Sequence, residues 1–382
     1  MRRTKFFCLF LLLSASVWAQ ELTIQGCIVD AETGEPLPYA SIYVGEGRGT
    51  LTNIDGNFRL SLSEQDSLII SYVGYEKRQM KAPEAARVIR LKPFERELAE
   101  VVVKPIDEMD ILKQVIKNLK SDFSKHKKDR QAYFLRTLLR DRKDSYLIES
   151  IMAWNSAVNL RDDETFSGIY GINSAGNTSL IDLRLTNIHK VAEIGAHTFQ
   201  SKYWEEAVKP LNSLQTIKKY YDVESQRLLG KDGEMLYRFT FRWNDKHTKT
   251  LGKRRYLTGD IYVDAKTLRL LRFEGKVGNA YQTAFFSRQP ATIKFHINYD
   301  YSRGYAAVGN LAVQGGNKTM SYKLLLFGIQ ADSLVQAGGG FVGDNIIDAL
   351  SNAGYDSALW KKYDLIKRTE EEENVAFGEK LE

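Results

Sequence analysis

Two kinds of hydrophobic periodicity divide the chain. From Leu22 to about Leu91, apolar and polar positions alternate in short runs broken by turn residues. Leu22, Ile24, Gly26 and Ile28 share one face of a first strand, AETGEP breaks it, and Ala40, Ile42 and Val44 face inward from a second. Turns follow at Gly45 to Gly49 and at Asn53 to Asn57, the latter holding Asp55 and Gly56, a hairpin signal. Phe58, Leu60 and Leu62 alternate again, and DSLIISYVGYEKR supplies a nearly continuous apolar strand, as a sandwich interior requires. Strands spaced by about 8 to 12 residues with no helical period predict an all-β sandwich.

The pattern changes beyond two prolines, Pro93 and Pro105, which bracket a short extended linker containing Val101 to Val103. Asp107 is placed to cap a helix, with Asp110 three residues on. Ile111, Leu112, Val115, Ile116, Leu119 and Phe123 fall on one stripe at helical period, which predicts an amphipathic helix near 109–123. Its polar face, Lys113, Lys117 and Lys120, runs into KHKKDR and reads as solvated.

Period two then takes over. AYFLRTLLR and SYLIESIMAW form a hairpin about DRKD, and a less regular stretch from Asn155 to Tyr220 is expected to hold loops and short helices. In GEMLYRFTFRW, Met235, Tyr237, Phe239, Phe241 and Trp243 share one face while Arg238, Thr240 and Arg242 take the other. GDIYVDAKTLRLLRFEGKV is a hairpin, IKFHINYDYSRG gathers Ile293, Phe295, Ile297, Tyr299 and Tyr301, and SYKLLLFGI closes the series. Five or more antiparallel strands with one aromatic face predict a curved sheet that must be covered, and the helix is the obvious cover. Tyr237, Phe239, Phe241, Trp243, Phe295, Tyr299 and Tyr301 form the candidate apolar ligand face.

The first nineteen residues add an address. Arg2, Arg3 and Lys5 precede an apolar run from Phe6 to Leu13, and small residues lead to Val17 and Ala19. This is the layout of a cleaved signal peptide, and the apolar run falls short of the about 20 residues that span a bilayer. Removing nineteen residues from 382 leaves 363, enough for two domains: 20–103, the sandwich, and 104–382, an α+β domain with a curved antiparallel sheet. The 54 basic and 48 acidic residues become 51 and 48, a balance that does not imply nucleic-acid binding. Cys27 is then the one cysteine left, so no intramolecular disulfide is expected.

The search for chemistry yields no catalytic, cofactor-binding or metal-ligating residue. Five histidines include no HExxH and no HxxE; His189 precedes Glu193 at the wrong spacing, and His126 precedes Asp129 in a Lys-rich loop. Ser174 sits in GxxSxG with no strand leading in, and Gly338 to Gly340 lack a nucleotide-binding context. Asp260, Asp264 and Glu274 could supply carboxylates, but turn formation and solvation explain them with less assumption. The EEEE run near the end reads as a solvated terminus.

The run GCIVDAETGEPLPYASIYV, followed by GTLTNIDGNFRL and LIISYVGY, resembles the carboxypeptidase D regulatory-like domain, a transthyretin-like sandwich common in exported proteins of Bacteroidetes. The resemblance implies an accessory module without catalytic residues. ELAEVVVKP resembles the stretch that follows this domain in TonB-dependent receptors, yet the roughly 280 residues beyond it are too few for a barrel of about 22 strands. The strand order from GDIYVDAKTLRLLRFEG through YDYSRGY resembles curved-sheet proteins of the lipoprotein-carrier type. SALWKKYDLIKRTEEEE resembles the closing segment of Bacteroidetes proteins that pair this sandwich with a β-rich domain. The fold expected is mainly β: a transthyretin-like sandwich, then the α+β domain.

The expected role is that of an exported cell-envelope protein, periplasmic or outer-membrane associated, with a non-catalytic binding or structural function toward a protein or hydrophobic partner. No transmembrane segment is expected after signal removal. A hydrolase with acid residues scattered across loops is the alternative. The mature chain is expected to begin at Gln20, and the intact mass of the purified protein checks this. Retention of Met1 to Ala19, or extraction by detergent alone, contradicts it.

Overall fold

Alternating burial along short strands produces the first of two compact units in the computed structural model. The structure describes residues 21–45, 48–85, 87–96, 107–141, 144–157, 179–185, 214–244, 246, 256–281, 290–316, 320–330, 332–337, 360 and 366–377. The first unit holds residues up to Tyr72 with Lys77–Leu91 and Leu365–Lys367; the second holds Val73–Glu76, Lys92–Asp364 and Arg368–Glu382.

In the first unit, β1 (Glu21–Asp30) lies between β4 (Asn57–Ser63), antiparallel, and β7 (Val88–Leu91), parallel. A second sheet runs β3 (Arg48–Leu51), β2 (Ser41–Gly45), β5 (Ser67–Ser71), β6 (Arg78–Lys81). Ile28, Ile42, Phe58, Leu62, Leu68, Ile70 and Ile89 fill the interior. The apolar run in β5 is not buried on both sides, contrary to its reading as an interior strand. Ile69 points outward at 36 % exposure, beside its cross-strand partner Tyr43 at 46 %. The turn before β4 needs its glycine: Gly56 has φ +74, and a Cβ there would lie 2.8 Å from the Ile28 carbonyl oxygen. Asn53 Oδ1 closes that turn by accepting from the Asp55 and Asn57 amides.

The second unit is a curved antiparallel sheet covered by helices. Its described strands are β8 (Glu95–Arg96), β9 (Arg130–Asp141), β10 (Asp144–Asn155), β11 (Ser179–Leu185), β12 (Tyr221–Leu229), β13 (Met235–Trp243), β14 (Tyr256–Asp264), β15 (Leu270–Tyr281), β16 (Pro290–Asp300), β17 (Ala307–Gly316) and β18 (Met320–Ile329). They form one sheet of 11 strands in the order β11-β10-β9-β18-β17-β16-β15-β14-β13-β12-β8. The sequence pattern does not predict β11, β12 or β17: β11 lies in the stretch from Asn155 to Tyr220 expected to hold loops and short helices, and β17 reads AVGNLAVQGG, its glycines hiding a buried run through Leu311 and Val313.

Helix α1 (Glu108–His126) covers one face of this sheet. Asp107 caps it, its carboxylate accepting from the Asp110 amide at 3.0 Å. The buried stripe Leu112, Val115, Ile116 and Leu119 packs into one cluster with Phe239, Phe241, Phe273, Phe295, Ile297, Leu311 and Leu324. Three polar contacts tie the helix across the sheet. Ser225 Oγ donates to Glu108 Oε1 at 2.7 Å, Asn118 Nδ2 donates to the Leu268 carbonyl at 3.4 Å, and the Ala306 amide donates to Asp122 Oδ2 at 2.9 Å. Leu268 supplies its carbonyl from a left-handed backbone position, φ 53, in the β14–β15 turn. A short helix, α2 (Leu214–Tyr220), adds Ile217 to the same cluster.

Beyond β18 the described helices are α3 (Asp332–Ala337) and α4 (Glu370–Phe377), and Trp360 and α4 meet the opposite face of the sheet at β9. Trp360 meets Phe134 edge-on at 6.3 Å. The acidic run is not a solvated terminus, because Glu371 pairs with Arg140 and Lys323 and Glu372 is buried. Glu372 closes a capping box with Thr369, accepting from the Thr369 amide at 2.8 Å while Thr369 Oγ1 accepts from the Glu372 amide at 3.2 Å. It also reaches the guanidinium of Arg136 at 3.5 Å. Arg136 and Arg368 bind the buried Glu149 at 2.8 and 2.7 Å.

Removing one member of such a buried network strands the others. Glu149→Ala is expected to lower stability by about 3–5 kcal/mol, measured by urea unfolding. A loss under about 1 kcal/mol, as for a surface pair, contradicts a desolvated network.

Candidate functional site

β13, β16 and Tyr301 just beyond β16 bring the seven ring-bearing candidates to one face. Phe239 and Phe241 are 0 % exposed, Phe295 4 % and Tyr299 8 %, all within the cluster beneath α1. Tyr237, Tyr301 and Trp243 are half-buried. Phe273 meets Phe295 edge-on at 4.9 Å, and Tyr301 Oη donates to the Leu270 carbonyl at 3.0 Å under the guanidinium of Arg269. The seven therefore separate into a covered centre and a rim.

At one end of the rim, Trp243 stacks on Tyr220 at 5.4 Å and meets Tyr221 edge-on at 5.4 Å, with Tyr256 at 6.3 Å. Tyr256 lies against Gly278, where any Cβ would run into the ring. These three tyrosines escaped the sequence reading because they come from α2, β12 and β14, and the YY at the end of LNSLQTIKKYY is the signal that could have pointed to two of them. Two buried polar atoms on this face, Trp243 Nε1 and Tyr299 Oη, have no hydrogen-bond partner among the described residues.

The other face of the same strands carries two adjacent polar rows. Thr240, Asp260, Glu274 and His296 are register partners across β13 to β16. Arg238, Tyr262, Arg272, Asn298 and Asn310 form the next row, across β13 to β17. Asp260 and Glu274 face each other directly, and such like charges repel. The neighbouring row compensates: Arg238 binds Asp260 through two hydrogen bonds of 3.1 and 3.0 Å, and Arg272 lies 3.0 Å from Glu274. Tyr262 lies between the guanidiniums, 3.9 Å from Arg272 and 5.8 Å from Arg238. Arg272 also donates to the Val73 carbonyl at 3.0 Å. His296 Nδ1 lies 2.9 Å from Glu274.

Burial alone would raise the Glu274 carboxyl, but the Arg272 charge, the His296 hydrogen bond and Arg238 outweigh it and hold it at about 2. Burial lowers His296 in spite of Glu274. At neutral pH the pair is thus a fixed carboxylate beside a neutral imidazole, each held by the other. Such a carboxylate is a poor base, and the row reads as scaffold.

The remaining candidates are dispersed. Asp264 accepts from the Lys266 and Thr267 amides and serves its turn. His126 Nδ1 lies 2.8 Å from Asp129, and its ring stacks on Tyr305 at 4.1 Å. Cys27 is half-buried, and burial followed by Asp55 pushes its thiol up. Ser174, His189, Glu193 and Gly338 to Gly340 lie outside the described residues. Among the described residues no group of three His, Cys, Asp or Glu side chains could hold a metal ion, and no helix is long and apolar enough to cross a membrane.

Comparison with known proteins identifies the N-terminal region. Residues 24–103 match the CarboxypepD_reg-like domain family, and the sandwich is such a domain. The chain is 39 % identical over 92 residues to the TonB-dependent receptor SusC of Bacteroides thetaiotaomicron, and 29 % identical over 104 residues to the TonB-dependent receptor P3 of Formosa agariphila. These matches span 24 % and 26 % of this chain but only 9 % and 10 % of the receptors' length. A putative outer membrane lipoprotein-sorting protein domain from Vibrio parahaemolyticus aligns with 59 % of this chain and 97 % of its own, at 10 % identity and a TM-score of 0.22.

The polar rows make stability depend on pH in one direction. Glu274 titrates near 2 when folded and at its ordinary 4.5 when unfolded, so its contribution is complete above 4.5 and is lost as pH falls toward 2. His296, lowered from 6.5, acts with the same sign, its contribution being lost as pH falls below 6.5. Urea midpoints measured from pH 7 to 3 are expected to fall throughout, and Glu274→Gln is expected to flatten the part below 4.5. An unchanged slope in that variant contradicts the assignment.

Proposed function

We propose that this chain is an exported cell-envelope protein with a non-catalytic binding role, and that it holds a hydrophobic ligand between α1 and the aromatic face of the sheet. The observation that carries the reading is the pair of buried polar atoms, Trp243 Nε1 and Tyr299 Oη, without partners on that face among the described residues. An unsatisfied buried donor costs about 1–3 kcal/mol, and an amphiphile with a hydrogen-bond acceptor would satisfy one. The half-buried rings of Tyr237, Tyr301 and Trp243 supply apolar rim around the covered centre.

Export rests on the leader, and an envelope setting is supported by the regulatory-like domain and by relatives that are TonB-dependent receptors. In this reading the sandwich, residues 20–103, is an accessory module, and binding belongs to residues 104–382. The hydrolase alternative draws no support from the acidic residues: Asp260 is held by Arg238 and Thr240, and Glu274 by Arg272 and His296.

Native mass spectrometry of the full chain purified from its own envelope is expected to show adducts of lipid mass. An adduct-free protein that also fails to take up a neutral apolar dye such as N-phenyl-1-naphthylamine contradicts the reading.

A further inference from the structure

We propose that the Tyr299 hydroxyl donates a hydrogen bond to the polar end of the ligand, which makes that ligand an uncharged, carbonyl-bearing amphiphile, an ester- or amide-linked acyl chain, rather than a fatty-acid anion. The inference rests on the binding reading above and names the ligand class of the same face.

Tyr299 lies near the end of β16, paired with Val308 of β17, and its ring belongs to the apolar cluster. The tyrosines that follow it show how this region treats a buried hydroxyl. Tyr301 donates to the Leu270 carbonyl, and Tyr305 shares a hydrogen bond of 2.7 Å with Ser156. Tyr299, 8 % exposed, has no such partner among the described residues. Burial, and then Tyr301, pushes its phenol well above the ordinary value, so the group is a neutral donor at any physiological pH.

The charged groups of this region act on residues beside Tyr299, not on Tyr299 itself. Arg269 sits 4.7 Å over the Tyr301 ring, and Arg303 is paired with Asp332 at 2.7 Å. Asp122, bonded to the Ala306 amide, acts on Tyr301 as a negative charge. Tyr299 itself is perturbed by burial and by Tyr301, not by a cation, so a buried carboxylate beside its hydroxyl would be desolvated without a counter-ion, a costly arrangement. An ester or amide carbonyl accepts the same hydrogen bond without a counter-ion.

The test measures displacement of N-phenyl-1-naphthylamine from the full chain at pH 8 by 1-monoolein, oleamide and oleate, for the natural protein and Tyr299→Phe. Monoolein or oleamide is expected to bind more tightly than oleate, and the variant is expected to weaken the preferred one about 3- to 10-fold, the worth of one net hydrogen bond, while oleate changes little. Which of ester or amide is preferred identifies the source as a glycerolipid or an N-acylated component. Unchanged monoolein and oleamide affinity with a raised Tm in Tyr299→Phe would show the hydroxyl to be a packing defect and overturn the inference. Equal binding of oleate and monoolein to the natural protein overturns it as well, and needs no variant to fold. If the dye binds but no acyl compound displaces it, this inference falls alone; if the dye does not bind at all, the binding reading falls with it.

Discussion

A sheet of 11 antiparallel strands with one apolar face cannot stay exposed in water, and covering that face is the constraint on which the second unit depends. Helix α1 meets it. Its 19 residues make it about 28 Å long, enough to run from Ser225 on β12 to Ala306 beside β17. Each of its three polar ties ends on a different part of the sheet, so the helix is held by a few hydrogen bonds and by burial of one stripe. Because hydrophobic burial has no direction, such a cover can be tight without being permanent.

The two faces of the sheet are held by different forces. Where α1 lies, the side chains are rings and branched aliphatics. On the other face, cross-strand rows of Arg, Asp, Glu, His and Asn pair with one another, and the C-terminal segment brings Arg368 and Glu372 to Glu149 and Arg136. Buried ion pairs contribute little net stability over apolar packing. Their value here is register: a slip of one residue in β14 or β15 would turn Asp260 or Glu274 into the apolar cluster. The polar face thus fixes the alignment that puts Phe239, Phe273 and Phe295 side by side.

Much of this was legible in the chain because the signals are local. The stripe of α1, the Asp107 cap, the AspGly turn and the alternation in β13 and β16 each need only a short window. What escaped needs distant pairing. Asp260, Glu274 and His296 become neighbours only when three strands find their register, and nothing within any one strand announces it. Glu372 looks like one glutamate among four until Thr369 caps its helix and Arg136 meets it from the sheet. β17 escaped because its glycines resemble a loop, although the middle of the strand is fully buried. The candidate face was legible as a set of rings, but not its division into centre and rim, nor the Tyr299 hydroxyl without a partner among the described residues.

The proposal that a hydrophobic ligand is held between α1 and the aromatic face is tested most directly by native-state hydrogen exchange of the full chain with and without 1-monoolein. The amides of Leu112 to Phe123 are expected to exchange through an opening of lower free energy than the central strands β15 and β16, and monoolein is expected to slow them selectively. Exchange of α1 only through global unfolding, unchanged by monoolein, would show that the helix is a permanent part of the core and contradict the claim.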